Sequence, residues 1–389
     1  MIYKNDKHGN KVSQLGYGCM RFTKKGTAID YEKTEKEVLY AIEHGVNYFD
    51  TAYLYPGSEE CLGKILSSNN CRDKVYIATK LPQYLVKKKE QIDTFYNEEI
   101  RRLKTEYIDY YLMHMMTDYA DWEKLKSFGI IEWIESKKAS GEIKNIGFSY
   151  HGNTDMFVKI LEDYDWDFCQ IQYNYLDENS QAGVAGLEAA KKKGVPVVIM
   201  EPLRGGKLVN LPKEALSLLD GMYYAAEIAL KWLWNQEGIM CVLSGMNSLE
   251  MVEQNVRFAS ETEVGSLSED DLKLVKDITA IVKSSEKVGC TGCRYCMPCP
   301  KGVDIPATFY YYNLTTIDGK TQSRVEYAQN IGLRKEPCFA SQCIECGACE
   351  KHCPQNLPIR EKLKEADKVL RPAPYKIGLS IVRKVLKKN

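Results

Sequence analysis

Short apolar runs alternate with amphipathic stretches along the first two thirds of the chain. The runs are rich in β-branched and aromatic residues, which favours strands, and the stretches between them repeat apolar residues at helical spacing. The predicted strands are 14–20, 46–49, 74–79, 108–113, 144–148, 167–171, 195–199 and 240–243. The predicted helices are 33–44, 58–68, 88–104, 121–139, 153–162, 180–193, 222–236 and 248–259. Eight strand–helix units in succession predict an α/β fold, a (β/α)8 TIM barrel.

Further elements and the chain length predict a second domain. Residues 2–14 have the pattern of a β-hairpin, and Ser268 to Lys283 that of an extra helix capped by Ser268. A barrel takes about 250 residues, so a chain of 389 residues has room for another module. We expect the barrel to occupy residues 1–285 and the second domain residues 286–389.

Polar residues stand at or just beyond the ends of three successive predicted strands. Asp50 follows the strand 46–49, and Tyr55 lies in the loop after it. Lys80 and His114 follow the next two strands. Because the carboxyl ends of parallel barrel strands share one mouth, we expect these four side chains to converge there. Singly, Lys80 could be a solvated cation and Asp50 a cap, so the prediction depends on their joint placement.

These four residues and their flanks resemble the catalytic tetrad of the aldo-keto reductase family, which implies reduction of an aldehyde or ketone with NAD(P)H. In that family a tyrosine donates the proton, a lysine held by an aspartate tunes the tyrosine, and a histidine orients the carbonyl. Hydride transfer places negative charge on the carbonyl oxygen, which needs a positioned acid. A free phenol has a pKa of about 10, and a nearby ammonium is expected to lower the pKa of Tyr55.

The resemblance also implies where the nicotinamide binds. In similar reductases a Ser-Asn pair and a glutamine hold its carboxamide, and Ser149 and Gln170 stand at those places, with Tyr150 in place of the asparagine. Met200 stands where a tyrosine usually stacks on the ring. It could cover the ring by thioether contact or be an ordinary core residue.

The segment L-S-G-M-N-S-L-E-M-V-E-Q-N resembles the part of these reductases that holds the adenosine end. Backbone amides at such a helix start can bind phosphate. The basic residues that elsewhere bind a 2′-phosphate are missing at Gly245, Asn247 and Met251, and Arg257 is the nearest other cation. This favours NADH over NADPH. The predicted cofactor contacts are Asp50, Ser149, Gln170, Met200, Pro202, Leu203, Gly245, Met246, Asn247 and Asn255.

Two cysteine runs with ferredoxin spacing occupy the last hundred residues. The clearer run is Cys343, Cys346, Cys349 and Cys353, and a near copy, one residue shorter, is Cys290, Cys293, Cys296 and Cys299. Four thiolates per [4Fe–4S] cluster fit two clusters, with structural zinc as the alternative. Plausible helices at 307–314 and 322–333 separate the runs, so we expect a small, mainly helical, ferredoxin-like iron–sulfur domain. Bacterial proteins that join an aldo-keto reductase barrel to such a tail form a recognised group, and the resemblance covers essentially the whole chain.

The ligand set of each cluster follows a rule for two-cluster ferredoxins. In those proteins the fourth cysteine of each run binds the cluster of the other run. One cluster is therefore expected on Cys290, Cys293, Cys296 and Cys353, and the other on Cys343, Cys346, Cys349 and Cys299, which leaves Cys338 unassigned.

Charge and composition add three expectations. Fourteen cysteines in a long chain without an apolar signal segment favour metal binding over disulfides and predict a cytoplasmic protein. The 53 basic and 53 acidic residues balance and give no sign of a nucleic-acid partner, and no run is long enough to cross a membrane. From Ile359 onward the chain has ten basic and three acidic residues. This excess of positive charge suits either a solvated helix face or a docking site for an acidic electron carrier or an anionic membrane surface.

Two functions fit these features. In the first, the barrel reduces a small carbonyl compound and the clusters supply electrons or support the structure. In the second, the protein transfers electrons, and the barrel binds a nicotinamide or flavin whose electrons pass through the clusters to a partner. A cluster accepts one electron whereas a nicotinamide gives a hydride, so the second function needs a converter such as a flavin. The intact tetrad favours the first.

Overall fold

The computed structural model describes residues 1–219, 221–284, 286–290, 292, 296–317, 319–334, 336–353 and 355–388. The chain forms two compact units, one of residues 1–210 and 219–275, the other of residues 211–218 and 276–389. The domain boundary at residue 285 stays a prediction.

Eight parallel strands of the first unit close into a barrel. The described residues form these eight and two short antiparallel pairs, in chain order β1 (Tyr3–Asn5), β2 (Lys11–Ser13), β3 (Leu15–Gly18), β4 (Lys24–Lys25), β5 (Ala28–Ile29), β6 (Tyr48–Asp50), β7 (Tyr76–Leu81), β8 (Ile108–Met116), β9 (Ile143–Tyr150), β10 (Phe168–Gln172), β11 (Val197–Met200) and β12 (Ile239–Ser244). Strands β3 and β6 to β12 follow one another around the barrel, and β12 pairs with β3 to close it. The predicted (β/α)8 barrel is therefore confirmed.

The helices follow the strands in the expected alternation. They are α1 (Tyr31–Glu43), α2 (Ser58–Ser68), α3 (Glu90–Leu103), α4 (Tyr119–Ser127), α5 (Ile130–Ala139), α6 (Thr154–Asp163), α7 (Gly183–Lys193), α8 (Lys213–Ser217), α9 (Ala225–Trp234), α10 (Leu249–Glu261), α11 (Glu269–Lys283), α12 (Ile305–Ile317), α13 (Gly319–Tyr327), α14 (Ala348–Lys351), α15 (Ile359–Leu370) and α16 (Ala373–Lys388). The single helix predicted over 121–139 is wrong. Gly129 lies between α4 and α5 with φ of 75°, a left-handed conformation that ends one helix before the next begins.

Aromatic side chains fill the barrel interior. Tyr48, Tyr110 and Phe168 are buried there, and their rings meet at centroid distances of 5.0 and 5.2 Å. The Tyr110 hydroxyl donates a 2.7 Å hydrogen bond to Asp6, which lies in the turn of the predicted β1–β2 hairpin. Tyr110 is near the start of β8, so the hairpin turn contacts the amino-terminal end of the barrel. The carboxyl ends of the strands form the opposite mouth.

The second unit has its own helical core. Helices α12, α13 and α15 contact one another, and Phe309, Tyr327 and Leu363 are buried among them. The two predicted helices between the cysteine runs correspond to α12 and α13. In α16, Ile377 and Ile381 expose 64% and 58% of their surface. In the part of the chain that the structure describes, no helix is long and apolar enough to cross a membrane.

Candidate active site and cysteine cavity

Lys80 forms the centre of the polar group in the barrel mouth. Asp50 is the last residue of β6, and Lys80 lies near the end of β7, so both side chains are buried where neighbouring strands end. The Lys80 ammonium donates to both carboxylate oxygens of Asp50, each at 2.7 Å, and to the backbone carbonyl of Thr51 at 2.6 Å. Each of its three N–H groups therefore has an acceptor.

Tyr55 and His114 complete the group. Lys80 Nζ is 5.2 Å from the centroid of the half-buried Tyr55 ring, so the ammonium lies beside the phenol. The Tyr55 and His114 rings meet edge to face, with centroids 6.1 Å apart. Strand β8 runs to Met116, three residues beyond its predicted end, so His114 lies within the strand rather than after it. All four residues predicted to converge lie together.

Burial and neighbouring charge act in opposite directions on the pKa values of Tyr55 and Lys80. Burial raises the pKa of the Tyr55 phenol above its ordinary value, and the Lys80 ammonium offsets only part of that rise. The prediction that Lys80 gives Tyr55 a pKa below its ordinary value is therefore wrong. Loss of hydration destabilises the phenolate more than the nearby ammonium stabilises it. Burial alone would lower the pKa of Lys80, but the Asp50 carboxylate outweighs burial and raises it. Near neutral pH the phenol is thus protonated and the amine charged.

His114 is a neutral imidazole in this setting. Burial, the charge of Lys80 and the nearby His151 hold the pKa of His114 well below its usual range. Its Nδ1 atom is buried and has no hydrogen-bond partner among the described residues. A neutral ring carries one donor and one acceptor nitrogen, which suits it to orient a polar ligand.

His151 is a mouth residue that the sequence reasoning missed. It follows β9 directly, and burial lowers the pKa of its imidazole to about 4. Its side chain hydrogen-bonds to Gln181, whose amide donates a 2.5 Å hydrogen bond to Gln172 Oε1 at the end of β10. The available signal was position, since His151 stands one residue after Tyr150 at a barrel strand end.

The residues predicted for the nicotinamide end lie at neighbouring strand ends. Gln170 hydrogen-bonds to Asp50, while its Oε1 atom is buried without a partner within the described ranges. Ser149 Oγ accepts a hydrogen bond from the backbone N–H of Met115 at 2.8 Å, and the half-buried Met200 packs on the barrel core. An unpaired buried carbonyl oxygen is costly, and a carboxamide N–H of a nicotinamide would satisfy it. These residues therefore fit the group.

Tyr150 does not stand in for the missing asparagine. Its hydroxyl donates a 2.6 Å hydrogen bond to the carbonyl of Asn153, and its ring packs against Phe157 of α6. The side chain is used in packing on the outer side of β9.

The residues predicted for the adenosine end divide into accessible and supporting ones. Gly245 and Asn247 are exposed just beyond β12. Met246 is buried, and its carbonyl accepts a 3.0 Å hydrogen bond from Tyr17. Asn255 donates to Ser244 Oγ at 3.0 Å and so joins α10 to the strand end. In the loop after β11, Pro202 is buried and Leu203 half-buried.

Cysteines of both runs line one cavity of about 190 Å³ in the second unit. The cysteines that line it are Cys296, Cys299, Cys343, Cys346 and Cys349. Cys290 and Cys353 pack against the core of the unit but do not line this cavity, and Cys293 lies outside the described residues. Across the ranges that the structure describes, no three histidine, cysteine or carboxylate side chains converge closely enough to hold a single metal ion.

Comparison with known proteins matches the barrel and the cysteine-rich segment to two different families. Residues 14–280 match the model of the aldo/keto reductase family, and residues 289–357 match a 4Fe-4S dicluster domain. An L-galactose dehydrogenase of Arabidopsis thaliana is 26% identical over 300 residues, which cover 71% of this chain and 93% of that protein. The methylglyoxal reductase YeaE of Escherichia coli is 26% identical over 242 residues, which cover 59% of this chain and 80% of the relative.

Solved structures resemble the barrel portion of the chain. An aldo-keto reductase of Bacillus halodurans in its holo form superposes with a TM-score of 0.60 at 26% identity, covering 72% of this chain and 96% of that one. An aldo-keto reductase of Klebsiella pneumoniae in complex with NADPH gives a TM-score of 0.59 at 21% identity, which shows the shared fold. Its coverage is 72% of this chain and 96% of that one.

Proposed function

Because the chain belongs to the aldo/keto reductase family and carries a helical 4Fe-4S domain, we propose that this oxidoreductase reduces the carbonyl group of a small aldehyde or ketone with NAD(P)H. The observation that carries the proposal is the buried Lys80–Asp50 pair beside Tyr55 and His114. This group places a protonated phenol, a charged ammonium and a neutral imidazole together at the barrel mouth. The dihydronicotinamide, when bound, supplies the hydride to the carbonyl carbon.

The chain's own residues manage the proton and the developing charge. The Tyr55 hydroxyl donates its proton to the carbonyl oxygen as negative charge grows there. The Lys80 ammonium stabilises the phenolate that remains, and Asp50 keeps the ammonium charged and in place. His114 orients the carbonyl through its neutral ring.

The reaction is tested by offering the purified protein NADH or NADPH together with a panel of small aldehydes and ketones. Loss of dihydronicotinamide absorbance that depends on both the protein and the carbonyl compound is the expected result, with formation of one alcohol per nucleotide oxidised. Oxidation at the same rate without any carbonyl compound would contradict a carbonyl reductase.

The rate of reduction should not depend on histidine titration. A lowered pKa means that the proton leaves at lower pH, so His114 and His151 stay neutral from about pH 6 to about pH 8. With a substrate that does not ionise, the profile of kcat/KM should show no step in this interval. A step with a midpoint near 6.5, the ordinary value for histidine, would show that one of these rings titrates during catalysis.

We propose that the protein has no strong preference for NADPH over NADH. Gly245, Asn247 and Met251 offer no cation to a 2′-phosphate, so the protein should not prefer NADPH by more than a few fold. Gly245→Lys should shift the ratio of the two dissociation constants about tenfold towards NADPH, because a charge-assisted hydrogen bond is worth about 1.5–3 kcal/mol. Gly245→Gln is the matched control, since it brings similar bulk without charge. A wild-type protein that binds NADPH a hundredfold more tightly than NADH would contradict this assignment.

We also propose two [4Fe–4S] clusters with crossed ligands. Cysteines of both runs line the cavity: Cys299 lies there with Cys343, Cys346 and Cys349, the four ligands of one crossed cluster, and Cys296 of the other cluster lies there too. Four closely spaced cysteines ending in Cys-Pro favour an iron–sulfur cluster over zinc, which usually takes two separated cysteine pairs. Thiolate-bound clusters suit a reducing compartment, so we propose a cytoplasmic location.

A second candidate function is electron transfer to an acidic carrier. Cys346 is exposed, and Ile344, two residues earlier, exposes 58% of its surface at the cavity, which would leave one cluster close to solvent. Anaerobic titration of the reconstituted protein with NADH distinguishes the two functions. Bleaching of the cluster absorbance without a carbonyl substrate would favour electron transfer, with a flavin as the converter. Unchanged absorbance would favour clusters that do not take electrons from the nicotinamide.

A further inference from the structure

Arg21 lies where two loops of the proposed cofactor site approach each other. It ends the short turn Cys19–Arg21 that follows β3. Its Nη1 atom donates a long, 3.4 Å hydrogen bond to the carbonyl of Gly205, in the loop after β11. Its aliphatic part covers Gly245, just beyond β12, where an added Cβ would stand 3.0 Å from Arg21 Cδ. The side chain therefore spans the loops after β11 and β12.

The two glycines make room for this side chain. A Cβ at Gly205 would lie 3.1 Å from Arg21 Nη2, and Gly205 has φ of 69°, a conformation that side chains rarely adopt. Larger residues at either place would push the guanidinium away. The exposed guanidinium forms no ion pair with a carboxylate within the described ranges, and its single hydrogen bond there is the one to Gly205. An arginine has five N–H donors and a charge that is never lost, so most of its binding capacity is available.

We propose that Arg21 binds the pyrophosphate of the dinucleotide cofactor. The inference rests on the proposed function, since it takes the nicotinamide to lie at Gln170 and the adenosine beyond Gly245. Between those two ends the cofactor's phosphates carry negative charge, and α10 offers no basic side chain in its first turn, which instead contains Glu250. Arg21 supplies the missing cation from the first barrel strand. A planar guanidinium can bind two phosphate oxygens at once.

The pyrophosphate is shared by NADH and NADPH, which makes the assignment testable apart from cofactor choice. Arg21→Gln should weaken equilibrium binding of both dinucleotides about tenfold or more, because a charge-assisted contact is lost. Binding of 1,4-dihydronicotinamide riboside, which has no phosphate, should not change. Arg257→Gln, which removes an exposed cation from α10, should leave all three affinities unchanged.

The measurement is fluorescence titration of the full-length, cluster-loaded protein with each reduced nucleotide, without any carbonyl substrate. Equal dinucleotide affinities in wild type and Arg21→Gln would overturn the inference and leave the proposed function standing. A loss confined to NADPH would overturn it as well, because Arg21 would then contact the 2′-phosphate. A wild-type protein that binds neither dinucleotide would overturn the proposed function and this inference with it.

Discussion

Tyr55→Phe should lower turnover of a carbonyl substrate by about 10²–10⁴-fold and leave nicotinamide affinity unchanged. The substitution removes the only atom that delivers the proton in the proposed mechanism, while the ring keeps its edge-to-face contact with His114. An interaction that acts in the transition state appears in kcat and kcat/KM together, whereas a binding contact would appear in KM. Steady-state kinetics and a separate nucleotide titration measure the two effects.

Tyr53→Phe is the matched control for this experiment. Tyr53 lies two residues earlier in the same loop, and its ring packs edge to face on Phe95, a contact that phenylalanine retains. Turnover of this variant should stay close to that of wild type. If Tyr55→Phe turned over as fast as Tyr53→Phe, Tyr55 would not be the proton donor.

Cys299→Ala should remove the cluster built on the later cysteine run, and Cys353→Ala the cluster built on the earlier one. Each [4Fe–4S] cluster holds four irons, so iron content after anaerobic reconstitution should fall from about eight per chain to about four in either variant. Metal-site formation is coupled to folding, and each cluster would join both runs, so both variants should also lower the unfolding temperature of the second unit. Cys338→Ala is the control and should keep about eight irons.

Double variants show which cysteines share a cluster. With crossed ligands, Cys299→Ala combined with Cys346→Ala damages one cluster only and should keep about four irons. Cys299→Ala combined with Cys293→Ala damages both and should keep almost none. The opposite pattern would show that all four cysteines of the earlier run hold one cluster. An iron content near four in wild type would show that the shorter spacing before Cys299 prevents a second cluster.

The barrel and the place of its site were predictable because both depend on local patterns. Apolar runs and amphipathic stretches alternate eight times along the chain. Residues just beyond the carboxyl ends of parallel barrel strands all lie at the same mouth of the barrel. On that basis the sequence alone groups Asp50, Lys80 and His114. Gly129 shows the limit, since a single left-handed residue divides a helix that the apolar pattern alone treats as continuous.

The contacts within the site depend on side-chain direction, which sequence position does not determine. Met246 and Asn255 stand in the segment predicted to hold the adenosine, yet one is buried and the other hydrogen-bonds to Ser244. Arg21 was missed because it reaches the site from β3, more than two hundred residues away along the chain from Gly245. The pKa of Tyr55 rises instead of falling because the depth of burial, unlike the presence of Lys80, cannot be read from spacing.

The three acceptors around Lys80 also protect the protein from its own proposed substrates. A neutral lysine attacks an aldehyde through its nitrogen lone pair and forms an imine, the reaction that begins glycation. Asp50 and the Thr51 carbonyl accept the N–H groups of Lys80 and favour its protonated form, in which the nitrogen has no free lone pair. We therefore expect Lys80 to lie beside a bound aldehyde without forming an imine with it.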